Sequence, residues 1–387
     1  MCPPVVTLGA SPVGVGDRHR PTEARKRRAV HNWNIEALLK QMCEKGASDM
    51  LLTVGTPPQL RVNGLLEPLG TQRVDAEATR RLVHSLLTER QAQTLDERKN
   101  LDFSKGFEGL SRFRFSAYYQ RDSLALAVRV IPFSIPSFES LALPGIVQDF
   151  ASRPHGLVLI TGPAGSGKST TMAAMIDHIN HSRRVHIVCI EDPIEYLHAH
   201  ALSTIDQREI GEDVHTFDEA LRSVFRQSPD VIMVGEMRDL PTMQLALSLA
   251  ETGHLILATL HTQDATNSIS RIVDSFPAVQ QAQVYTQLSL VLVGVITQQL
   301  IPTRDNTGRI LACEIMNVNN AIRNLIREMQ IQQVYSVIQT GRAEGMIAMN
   351  DSLRLLCEQN LIDADTAIRK SPRPKELMRQ LKADPRV

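Results

Sequence analysis

The chain has 387 residues, long enough for two cores, and its 42 basic residues balance 42 acidic ones. Zero formal net charge gives no global argument for a nucleic-acid or anionic partner. Five scattered cysteines (Cys2, Cys43, Cys189, Cys313, Cys357) include no CxxC pair, which argues against a disulfide framework or a cysteine zinc site and fits a reducing cytoplasm.

Residues 1–31 read as a disordered basic tail, with Arg18, Arg20, Arg25, Lys26, Arg27 and Arg28 and no apolar core of a secretory signal. Ile35, Leu38, Leu39 and Met42 then recur at the spacing of an amphipathic helix. "DMLLTVG" and "PQLRVNGLLEPL" read as strands around turns at Gly55–Pro58 and Asn63-Gly64, followed by a helix near 75–90. In "SRFRFSAYYQRDSLALAVRVIP" the alternation predicts strands with Phe113, Phe115 and Ala117 on one face and Arg112 and Arg114 on the other. Residues 32–133 are thus expected to form a small α+β domain, and the proline-punctuated stretch 134–144 a linker.

From Leu157 onward four apolar runs, "GLVLITG", "VHIVCIED", "DVIMVGE" and "LILATLH", alternate with helical patterns. That alternation predicts an α/β domain over 145–370, built on a parallel sheet. Beyond about residue 310 the patterns become helical and predict a C-terminal helical cap, with 371–387 as a flexible tail. The most apolar stretch, "LSLVLVGVI", is about half a membrane span, so no crossing of the bilayer is expected.

Gly162, Pro163, Ala164, Gly165, Ser166, Gly167, Lys168 and Ser169, followed by Thr170, match G-x-x-x-x-G-K-[ST] between a predicted strand and a predicted helix. Such a loop turns backbone N–H groups inward, and the helix N-terminus adds partial positive charge, so phosphates bind. Lys168 is expected to reach the β- and γ-phosphates of ATP. Ser169 is expected to ligate Mg²⁺, with Glu191 or Glu236 reaching the ion through water. Glu191 ends the second strand in "IEDPIEYLH" and Glu236 ends the third; both are candidate catalytic acids. Gly235 stands where a nucleotide hydrolase usually carries an aspartate, so Glu191 is expected to supply the second carboxylate. His254 and His261 bracket the fourth strand as candidate γ-phosphate contacts. Arg112, Arg114, Arg121 and Arg129 are candidates for arginines that reach the phosphate of a neighbouring subunit.

Four motifs in order, "GPAGSGKST", "IEDPIEYLH", "DVIMVGEMRD" and "AETGHLILATLHT", resemble the Walker A loop, Asp box, Walker B strand and His box of the secretion-type ATPases. Within that family the likeness is to the twitching-motility, or pilus-retraction, branch of PilT and PilU, and it covers residues 33–360. "AIRNLIRE" (321–328) resembles the short C-terminal motif of the retraction ATPases, whereas "SAYYQR" leans toward PilU. The resemblance implies a PAS-like N-terminal domain, a RecA-like ATPase domain and a homohexameric ring. It also implies a cytoplasmic motor, peripheral at the inner membrane, that acts on the pilus platform protein, in some members with a second retraction ATPase. Of the four arginines, the resemblance points to Arg112, Arg114 and Arg129 as the ones that act on a neighbour's phosphate. The glycine before Glu236 belongs to the family pattern, so hydrolysis is expected to survive it.

Three other readings compete. An assembly or secretion ATPase of the same superfamily would carry a four-cysteine zinc insert, and this chain has no paired cysteines. A scaffold that binds ATP without turnover is motivated by Gly235. A DNA translocase would need a continuous basic path, which a neutral chain does not offer.

Overall fold

A computed structural model describes residues 33–62, 64–131, 134–305 and 308–383. The basic tail and Asn63 of the predicted hairpin turn lie outside these. The N-terminal unit runs α1 (Ile35–Glu44), β1 (Asp49–Leu52), β2 (Gln59–Val62), β3 (Leu65–Pro68), α2 (Ala76–His84) and α3 (Glu89–Arg98). It closes with β4 (Asn100–Phe107), β5 (Ser111–Gln120) and β6 (Ser123–Ile131). The strands pair as an antiparallel sheet in the order β3-β2-β1-β6-β5-β4.

The two faces of this sheet differ as the alternation requires. Phe113, Phe115 and Ala117 are fully buried and pack with Leu38, Leu39 and Met42 of α1 and Leu82 and Val83 of α2. Arg112 and Arg114 face the other way, toward the second unit. The helix expected near 75–90 is two helices. The second, α3, is polar apart from the buried Leu95, and is defined at its start by the capping box Thr88–Gln91.

The second unit begins with α4 (Ile146–Ala151) and β7 (Gly156–Thr161), then α5 (Lys168–Ser182), β8 (His186–Glu191), β9 (Thr204–Glu209), α6 (Phe217–Val224) and β10 (Val231–Val234). It continues with α7 (Leu240–Glu251), β11 (Leu255–Leu260), α8 (Ala265–Asp274), α9 (Ala278–Val291), β12 (Leu292–Pro302) and β13 (Arg309–Asn317). The sheet order is β13-β12-β7-β11-β10-β8-β9. Every pairing is parallel except that of β12 with β13.

Successive residues of β7 feed opposite cores. Val158 and Ile160 pack with Phe150 of α4 and with Met175, Ile176 and Ile179 of α5. Leu157 and Leu159 pack with α6 to α9, including Leu221, Leu247, Ile269 and Leu288. Burial on both faces is why these strands read as unbroken apolar runs.

After β13 come α10 (Asn320–Arg327), α11 (Val334–Thr340), α12 (Met349–Glu358), α13 (Ala364–Lys370) and α14 (Pro374–Ala383). The cap therefore starts later than expected, after a strand, and the predicted flexible tail is corrected. Residues 374–383 are helical, and Leu377 and Leu381 are buried against Met349, Leu353 and Leu356. The proline-punctuated linker is likewise docked: Phe138, Ile135, Leu141 and Leu143 pack on the α4/α5 side of the sheet. Within "AIRNLIRE", Ile322 and Ile326 are buried, and Arg323 Nη1 donates to the carbonyls of Ser289 (2.8 Å) and Leu290 (2.9 Å) at the end of α9. Among the described residues no helix is long and apolar enough to cross a membrane.

Candidate nucleotide site

Because β7, β8, β10 and β11 are parallel, their carboxyl ends gather at one edge. This is where open α/β sheets bind ligands. The glycine-rich loop follows β7 and enters α5, whose N-cap, Gly167, makes no side-chain cap. The first-turn N–H groups thus remain available to an anion. Gly162 cannot be replaced: its φ is 138°, and an added Cβ would strike the Gln298 carbonyl and, at 2.7 Å, the Ser166 hydroxyl. That hydroxyl is buried without a partner. Lys168 Nζ is folded back onto the loop, donating to the carbonyls of Gly162 (2.8 Å) and Pro163 (3.0 Å). Burial pulls its pKa down, and Glu236 and Glu195 counteract this.

The loop opens on two adjoining cavities of about 330 and 530 Å³. Lys168, Ser169, Arg114, Arg129, Glu195 and Tyr196 line both; Glu191, Glu236 and His261 line the smaller. Glu191 is 6% exposed, and burial raises its carboxyl to about 7 against hydrogen bonds from Gln207 and the Glu195 N–H. Burial acts on Glu236 in the same direction but loses, and Arg238 (2.8 Å) and His261 (3.1 Å) hold its carboxyl below the usual range. His261 bridges the site. Its Nδ1 accepts from Lys168 Nζ at 3.4 Å, since an ammonium only donates, leaving Nε2 to donate to Glu236.

Gly235 has a packing reason. Its N–H donates to the Ile190 carbonyl at 2.8 Å, and a Cβ there would sit 3.1 Å from that oxygen and 3.4 Å from Glu191 Cα. The backbone leading into Glu191 thus crowds a side chain placed at position 235. Glu191, on that neighbouring strand, lines the same cavity as Glu236.

Other sequence expectations are corrected. His254 is at the opposite edge of the sheet, one strand length from His261, roughly 20 Å for the six residues of β11. Its ring lies by Thr252, the Leu249 carbonyl and the edge of Phe225. Arg114 and Arg129, directly opposed across β5 and β6, line the cavity of their own chain. Arg112 does not line it: it pairs with Glu209 at 2.9 Å. Residues missed in the sequence include Arg238, which pairs with Glu236 and, at 3.7 Å, with Asp192. Its signal was an arginine two positions beyond the acid in "GEMRD". Gln207, on the unforeseen strand β9, left no such signal.

A glycine-rich loop, a basic side chain and paired acids at the edge of a RecA-like sheet define a P-loop ATPase class. The family model described as "Type II/IV secretion system protein" matches residues 142–374, and the chain belongs to that family. It is 42% identical over 342 residues to "Type IV pilus retractation ATPase PilT" of Pseudomonas aeruginosa, covering 88% of this chain and 99% of that one. It is 39% identical over 348 residues to "Type IV pilus ATPase PilU" of the same organism, covering 90% and 91%. A crystal structure of the pilus retraction motor PilT with bound ADP has a TM-score of 0.85 and 47% identity, covering 90% of this chain and 99% of that one.

Proposed function

We infer that this chain is an ATP-hydrolysing motor that powers type IV pilus retraction. It works as a homohexameric ring on the inner face of the cytoplasmic membrane, held there by the pilus platform protein. The observation that carries this reading is the 42% identity to PilT over 88% of the chain, joined to a cleft in which Lys168, Glu191, Glu236 and His261 meet. The PilU likeness supports a second reading, an accessory ATPase that needs a partner to turn over.

ATP would lie between the glycine-rich loop and the N-terminal sheet, with its phosphates on the N–H groups that begin α5. Lys168 would exchange its two carbonyls for phosphate oxygens. The oxygen donors of Ser169, Glu191 and Glu236 suit Mg²⁺, which would neutralise phosphate charge when bound. Glu236, ionised and held by Arg238 and His261, orients the attacking water, and Glu191 supplies the second acid. Arg114 and Arg129 meet the charge that develops on the γ-phosphate. Because they belong to the N-terminal sheet, the site is complete only when that sheet is seated over the loop, which links the nucleotide to domain movement.

Phosphate release by the purified chain, with its assembly measured by mass, tests the reading. Lys168→Ala and Glu236→Gln should each lower turnover by ~10³ while leaving the ring intact. A wild-type ring that binds ATP and hydrolyses it only with a second ATPase present would establish the accessory reading instead.

A further inference from the structure

The ion pair that takes Arg112 out of the cleft ties together three segments around Glu191. Glu209 ends β9, is 4% exposed, and lies directly beside Glu191 in the β8–β9 register. Its Oε2 accepts from Arg112 Nη2 at 2.9 Å and Ser104 Oγ at 2.7 Å, on β5 and β4 of the N-terminal sheet. The same oxygen accepts from Ile194 N at 3.1 Å, in the loop that follows Glu191. Two residues earlier on the same face of β9, Gln207 donates to Glu191 Oε1 (2.9 Å) and the Tyr196 carbonyl (2.7 Å) and accepts from His198 N (2.9 Å). One edge strand therefore holds both the loop after Glu191 and the N-terminal sheet. Arg114 stands two residues from Arg112 on the same face of β5. Breaking such a buried pair from one side strands a charge, so the clasp holds its partners firmly.

We propose that Arg112 and Glu209 are positioning residues whose ion pair latches the N-terminal sheet onto the catalytic loop. The pair fixes together the height of Arg114 and Arg129 over the phosphate loop and the placement of Glu191. The proposal rests on the ATP-hydrolysis reading of the cleft. With the latch open, Lys168 and Ser169 are undisturbed and nucleotide binds, but the groups that act on the γ-phosphate are no longer held.

Steady-state ATP hydrolysis by the full chain, binding of methylanthraniloyl-ADP and assembly by mass test it. Glu209→Gln keeps the shape and removes the charge, Arg112→Met removes the guanidinium, and Arg112→Lys keeps the charge without the fork. Arg112→Met and Glu209→Gln should each lower kcat by about tenfold, with ADP affinity within about threefold of wild type. The double variant should fall no more than about threefold below either single, and Arg112→Lys should recover part of the rate. A kcat within about twofold of wild type in either single overturns the latch, as does ADP affinity falling in step with kcat, the mark of a merely structural role. Glu236→Gln in the same assay separates the two failures. If it hydrolyses at the wild-type rate, the reading of the cleft has failed; if it is inactive while Arg112→Met is unimpaired, the latch alone has failed.

Discussion

Glu191 and Glu314 make an instructive pair. Both end up on strands of the same sheet, they are 6% and 1% exposed, and burial raises each carboxyl to about 7. Yet Glu191 lies at the carboxyl edge, lines the cleft and is held by Gln207. Glu314 sits on the antiparallel edge strand β13 and accepts from the Ala265 N–H at the start of α8 (2.9 Å). A perturbed carboxylate is therefore only a candidate, and what surrounds it decides between chemistry and staple.

The sharpest way to break that contrast is to neutralise each acid. Glu191→Gln should lower ATP hydrolysis by ~10²–10⁴, whereas Glu314→Gln should stay within about twofold of wild type, measured at saturating ATP with assembly checked by mass. Equal losses would erase the distinction. A smaller effect separates the two histidines at the two edges. His261→Asn removes a partner of both Lys168 and Glu236 and should cost about tenfold in kcat, while His254→Asn should change it less than about twofold. The smallest effect is on stability. A carboxyl raised in the folded state stabilises the fold fully below its unfolded pKa and loses that contribution as pH rises through about 7. Thermal unfolding should therefore fall on the order of a few °C between pH 5 and 8. Glu314→Gln should flatten that slope in part and Glu191→Gln the remainder.

The sequence was most legible where burial is two-sided or where a phosphate dictates the backbone. β7, β8, β10 and β11 are almost wholly buried and announce themselves as apolar runs. The phosphate loop is spelled out by glycines that nothing else replaces, as at Gly162. Legibility failed on polar edges. β9, "TIDQRE", buries only Ile205 and Glu209, so no pattern marks it, although it carries the side chains that grip Glu191. α3 was hidden in the same way, with Leu95 its single buried residue. Pairing His254 with His261 failed for a different reason. Two residues that flank one strand are close in the sequence and at opposite edges of the sheet. Arg112 and Arg114 share a face, and pattern alone could not say that one would meet Glu209 and the other the cleft.

Lys168 has partners on its own loop, its ammonium resting on the carbonyls of Gly162 and Pro163. For the lysine to meet a phosphate, it has to exchange those partners. An anion must outbid two oriented carbonyl dipoles before the lysine turns toward it. A polyphosphate, with its higher charge density, is expected to turn the lysine more readily than chloride or acetate, which competition of each anion with a labelled nucleotide would check. The rest position of one ammonium thus bears on which anions the loop accepts.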